Sequence, residues 1–151
     1  ELSKISPDKK NIYKANAKEF IKKVSNKNKE LAKELININS EPYIVFHDAY
    51  QYFEADYDLN SVGSISLNPE ISPTPKRIQE IKAKIEKDSV VCLFREPQFP
   101  SRIVQTVIQE TNAKEGELDP LGFDLKPGKN LYFELVTNLS KNLRECLSNG
   151  S

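Results

Sequence analysis

The sequence predicts an α/β fold, a four-stranded and largely parallel sheet flanked by helices and preceded by one long helix. Three observations predict it. Short unbroken apolar runs, Tyr43-Ile44-Val45-Phe46 and Val90 to Phe94, suit strands that are buried on both faces. Stretches with apolar residues every three or four positions alternate with such runs, so that strands recur about every 25 residues. No hairpin turn signal joins one run to the next, which is the pattern of βα crossover units.

Ser6-Pro7-Asp8 opens the first element. A Ser oxygen can accept from the free N–H groups of a first turn, Pro suits the first helical position, and Asp favours the positive end of the helix dipole. Apolar residues follow at Tyr13, Ala17, Phe20, Val24, Leu31 and Leu35, the 3.6-residue period of a helix over about residues 7–37. At ~1.5 Å per residue that helix is about 45 Å long. Glu41-Pro42 stops it, and the 43–46 run is the first strand, with His47 and Asp48 directly at its end. A helix rich in Tyr and Phe is expected over Ala49 to Leu59, and a second strand over Ser64 to Leu67. The Pro-rich stretch from Asn68 to Pro75 is a rigid loop, and Thr74-Pro75 starts a helix to about Lys87 with Ile78, Ile81 and Ile85 on one face. Val90 to Phe94 is the third strand. Phe99-Pro100-Ser101 leads into a helix over Ile103 to Ile108, Ala113 to Leu118 is a weaker fourth strand, and Asn130 to Leu147 is a final amphipathic helix.

The chain has 151 residues, the size of one ordinary domain, with 38% hydrophobic and 29% charged residues, enough for a packed core. The longest apolar run is five residues, so nothing here reads as a membrane-spanning helix. The absence of Met and of a leader-like apolar stretch reads as a processed or trimmed product. Net charge is zero, and no global field calls for nucleic acid or an anionic surface. The charge is unevenly placed. Residues 1–34 hold ten Lys and five acids, a net of +5, so the remainder carries 12 of the 22 bases and 17 of the 22 acids. The Lys residues are interleaved with apolar positions at helical spacing, without Arg or aromatic stacking partners, and read first as a solvated helix face.

In parallel sheets ligands sit beyond the carboxyl ends of the strands. The polar residues there are His47 and Asp48, Asn68 and Glu70, Arg95 and Glu96, and Asp119. No Gly-rich phosphate loop or Gly-x-Ser-x-Gly elbow is present, and His47, the only His, has no Ser or Cys placed beside it by sequence. A catalytic reading is the weaker one. An imidazole and a carboxylate at two strand ends, His47 and Asp119, are ligand types that zinc accepts, but two ligands are too few for a tight site. Cys92 and Cys146 are the only cysteines; by count they fit a disulfide or two buried thiols equally well.

From Ser6 to Leu147 the sequence resembles the C-terminal part of zinc-uptake substrate-binding proteins, the extracytoplasmic receptors of bacterial ABC transporters. Four stretches carry the resemblance: Tyr13-Lys14-Ala15-Asn16-Ala17; Val45-Phe46-His47-Asp48-Ala49-Tyr50-Gln51-Tyr52-Phe53; Arg95-Glu96-Pro97-Gln98-Phe99; and Leu118-Asp119-Pro120-Leu121-Gly122. The resemblance implies a long interlobe backbone helix (residues 1–40) followed by a C-terminal α/β lobe (41–151), with the N-terminal lobe outside this chain. It implies a periplasmic, non-enzymatic protein that delivers zinc to an ABC permease. His47 inherits the role of zinc ligand, and Asp119 that of a carboxylate ligand in related metal receptors. Glu96 is expected to orient a ligand by hydrogen bond. The resemblance also implies a Cys92–Cys146 disulfide. Half of a metal site implies weak zinc binding by the chain alone. Two rival expectations are a manganese-receptor lobe of the same fold, since carboxylates suit that harder ion, and a metal-independent surface adhesin or interaction module resting on the Lys-rich helix.

Overall fold

The computed structural model describes residues 1–66, 68 and 71–148. Two compact units make up the chain, one over Glu1–Lys33 and one beginning at Glu34.

The first unit is helical. A short helix α1 (Leu2–Ile5) and a 3₁₀ turn (Pro7–Lys9) lead into α2 (Lys10–Leu35), whose last residues belong to the second unit. The single helix expected from residue 7 thus begins as a 3₁₀ turn. Ser6, at φ −130° and ψ 80°, lies outside the helical region, as the clash of a following Pro ring demands. Its side chain makes no capping hydrogen bond; its carbonyl accepts from the Lys9 N–H at 3.1 Å instead. Thr74 shows the contrast. At φ −70° and ψ 157° it has the extended geometry of a cap, and its hydroxyl accepts from the Arg77 N–H at 3.2 Å.

The second unit is the sheet and its helices: β1 (Tyr43–His47), α3 (Gln51–Tyr57), β2 (Ser61–Ser66), α4 (Pro75–Lys87), β3 (Cys92–Arg95), α5 (Arg102–Ile108), β4 (Lys114–Glu117) and α6 (Leu131–Leu147). The strand order is β2-β1-β3-β4 and every pairing is parallel. β2 begins three residues before the expected Ser64, because Ser61 and Gly63 pair with Tyr43 and Ile44 across a register shift. The expected end of that strand at Leu67 lies outside the described residues.

Alternation along the strands separates two apolar faces. Ile44 and Phe46, with Ile65 and Leu93, pack with Ile81 and Ile85 of α4 and Val104 and Val107 of α5 into one continuous core. On the opposite face Tyr43 and Phe94 meet edge to face with ring centroids 5.5 Å apart. There the Cys92–Cys146 disulfide ties β3 to α6, with both residues buried. Gly116 in β4 makes this approach possible: a Cβ there would lie 2.5 Å from the Phe94 ring and 3.1 Å from Cys146 Sγ. The strands end together, since register pairs His47 with Ser66 and Arg95 with Glu117.

Candidate metal site at the carboxyl edge of the sheet

Register builds the centre of the site. β1 and β3 pair Tyr43 with Cys92 and Val45 with Phe94, so one more step along both strands brings His47 to the level of Glu96. Residues level with one another on neighbouring strands share a face. His47 Nδ1 lies 2.6 Å from Glu96 Oε1. The Glu96 side chain is 1% exposed and the His47 side chain 26% exposed, so the carboxylate is sealed beneath an imidazole that reaches solvent. A carboxylate at Glu96 can only accept, which makes Nδ1 the donor; in the neutral ring of that tautomer the lone pair is on Nε2. Phe99 steadies the ring, edge to face at 6.1 Å, while also packing on Phe46 at 5.1 Å.

Burial pushes the Glu96 carboxyl above its ordinary range; the charge and hydrogen bond of His47 oppose that rise, and the neighbouring Asp119 charge adds to it. Burial first, and then the charges of Glu96, Asp119 and Glu54, push the Tyr50 phenol up as well. Tyr50 therefore keeps its proton and donates it to the Leu118 carbonyl at 3.0 Å, joining the residues after β1 to those after β4.

Asp119 occupies that second strand end in a different way. Its Oδ1 accepts from the Leu121 N–H at 3.0 Å, the Gly122 N–H at 2.9 Å and Gln98 Nε2 at 2.5 Å, while Oδ2 accepts from the Phe123 N–H. The carboxylate thus closes its own turn, in which Gly122 adopts φ +70°, a conformation that favours glycine. Gln98 has no counterpart in the expectations. It links the loop after β3 to Asp119, and its own Oε1 is buried without a described partner. Only its position beside Glu96 and Pro97 hinted at a role.

The remaining strand-end residues face other work. Arg95 pairs with Glu115 at 3.2 Å and with Glu117, both in β4. Asp48 is exposed and accepts from Gln51 Nε2 at 2.6 Å. Asn68 is exposed and its carbonyl accepts from the Ser66 hydroxyl at 2.6 Å. Glu70 lies outside the described residues. Among the described residues no group of three or more His, Cys, Asp or Glu converges to hold a metal ion. No described helix is long and apolar enough to cross a membrane.

The all-parallel α/β unit thus carries a partly exposed imidazole at its carboxyl edge, the place where such sheets hold ligands. The chain belongs to the zinc-uptake complex component A periplasmic family (ZnuA), which matches residues 1–146. It is 44% identical over 147 residues to the high-affinity zinc uptake system protein ZnuA of Brucella suis, covering 97% of this chain and 44% of that protein. The chain therefore spans less than half the length of this relative. Among solved structures it is similar to the laminin-binding protein Lbp of Streptococcus pyogenes, with a TM-score of 0.81, 26% identity, and coverage of 97% of this chain and 56% of that one. A crystal structure of ZnuA shares the fold, with a TM-score of 0.82 at 23% identity, covering 97% of this chain and 52% of that one.

Proposed function

We propose that this chain is the C-terminal lobe of a periplasmic zinc receptor that hands its ion to an ABC permease, and that it supplies half of an interlobe metal site. His47 binds zinc through Nε2. Glu96, held below it, keeps the ring in the tautomer and orientation that the ion requires, as carboxylates behind zinc-bound imidazoles do. Asp119 is the second candidate ligand. Its Oδ2 has one described donor, which leaves that oxygen room for one further contact. The 2.6 Å bond between His47 Nδ1 and buried Glu96 carries this reading.

A calorimetric zinc titration of this chain beside His47→Ala tests it. Weak binding that vanishes in the variant is expected. Zinc binding of equal strength in both proteins would remove His47 from the site. A manganese titration in parallel separates the two metals: the single imidazole favours zinc, and stronger manganese binding lost in Asp119→Ala would reassign the ion.

The likeness to a laminin-binding protein supports a second reading, a surface-interaction module. Laminin binding that survives both chelation and His47→Ala would favour it over metal delivery.

A further inference from the structure

The first unit carries a surface that metal binding does not use. We propose that α2 docks along one side on an anionic phospholipid surface. At 100° per residue, Lys10, Lys14, Lys18, Lys22, Lys29 and Lys33 fall within an arc of about 140° on the helix. All six are exposed. The acids of α2, Glu19, Glu30 and Glu34, fall outside that arc. The ion pairs described in this unit use other lysines: Lys4 with Glu1, Lys23 with Glu19, and Lys27 with Glu30. The six therefore present their charge to solvent, not to acids of their own helix.

Spacing makes them act together. Lysines four residues apart lie about 6 Å apart along the axis, inside the Debye length of roughly 8 Å at physiological salt. From Lys10 to Lys33 the row extends about 35 Å, a straight basic edge suited to a planar array of phosphates. The one large apolar residue inside the arc is Ile21, 67% exposed, which points between the Lys10 and Lys14 directions and can enter the headgroup layer from there. The type of residue selects the partner. Lys is a compact point charge, and attraction of a cluster of four to eight such charges to anionic headgroups needs no directional pairing. Nucleic-acid recognition draws on Arg forks and aromatic stacking, and the arc holds neither.

The test is flotation of this chain with vesicles of 30% phosphatidylglycerol in phosphatidylcholine, against pure phosphatidylcholine, at low and high salt. Binding to the anionic vesicles that weakens with salt is expected. The variant Lys14→Gln, Lys18→Gln, Lys22→Gln, Lys29→Gln should bind at least tenfold less. A control of equal charge change, Lys76→Gln, Lys87→Gln, Lys126→Gln, Lys129→Gln, should bind as the parent does. Gln keeps helix propensity close to that of Lys, and circular dichroism of both variants verifies the fold. Equal loss in the two variants, equal binding to neutral vesicles, or stronger binding to heparin or a DNA duplex than to the vesicles would each overturn the proposal. His47→Ala should float like the parent, so this result and the zinc titration fail independently.

Discussion

His47 and Asp119 stand at the ends of two strands of one sheet, and both are of ligand type, yet their surroundings treat them in opposite ways. A buried carboxylate takes one imidazole nitrogen of His47, whose side chain is partly exposed. Asp119 turns inward on its own loop, where three backbone N–H groups and the Gln98 amide converge on its two oxygens. Position at a carboxyl edge therefore offers a residue to a ligand, but hydrogen-bond accounting decides how much of it remains to be offered. The His47 side is a presented side chain; the Asp119 side is first a builder of its own turn.

The two sides are also anchored differently, which the largest expected effect exposes. β3, which leads to Glu96, is tied covalently to α6 through Cys92–Cys146, a link across 54 positions. Replacing both cysteines with Ala should cost about 4 kcal/mol on the chain-entropy account, read as a fall in the urea midpoint of the oxidised protein. A double variant as stable as its parent would show that β3 is held by packing alone.

Next in size is Asp119→Ala, which removes the acceptor of four hydrogen bonds. Several N–H groups of the turn can rehydrate, so the expected loss is about 2–3 kcal/mol, measured by urea unfolding. Asp119→Asn keeps an acceptor oxygen and should lose less than half of that. If the two variants are equally destabilised, the charge of Asp119, and not its turn, is what the fold uses.

Glu96→Gln addresses the His47 side. The amide can still touch the ring but cannot enforce the donor tautomer at Nδ1, so zinc affinity should fall roughly 10–100-fold, measured by competition with a chromophoric chelator. Unchanged affinity would reduce Glu96 to a packing residue.

The smallest effect concerns a carboxyl outside the His47–Glu96 pair. Tyr43 Oη donates to Glu54 Oε1 at 3.0 Å. Burial raises the Glu54 carboxyl above its ordinary 4.5, despite hydrogen bonds from Ser61 and Tyr43 that oppose the rise. The folded state therefore holds this proton more tightly than the unfolded chain. Its contribution to stability is fully present below pH 4.5 and is lost as pH rises through the raised value. Between pH 4 and 7 the parent should lose stability relative to Glu54→Gln; parallel curves would mean that Glu54 titrates as a solvent-exposed group does.

Local sequence determined the elements of this protein. The apolar run at 43–46, the Cys92–Phe94 part of the run expected as a strand from Val90, the Thr74-Pro75 helix start and the periodicity of α6 act within a turn or two of chain, where propensity and burial pattern suffice. The parallel order of βα units followed from the same alternation, and it placed His47 and Asp119 at the carboxyl ends of strands. Where local reading failed, a neighbour had intervened: Pro7 removed Ser6 from capping geometry, and pairing with β1 drew β2 back to Ser61.

The tertiary structure alone decided which of the strand-end groups meet. A register offset of 49 residues between β1 and β3 set Glu96 against His47, and no pattern in either segment encodes that offset. The same holds for the four donors gathered on Asp119, and for the space left by Gly116 that lets Cys146 reach Cys92. Hydrogen-bond partners across a sheet are fixed by how strands slide against one another as the core packs, and that choice is made by the whole chain at once.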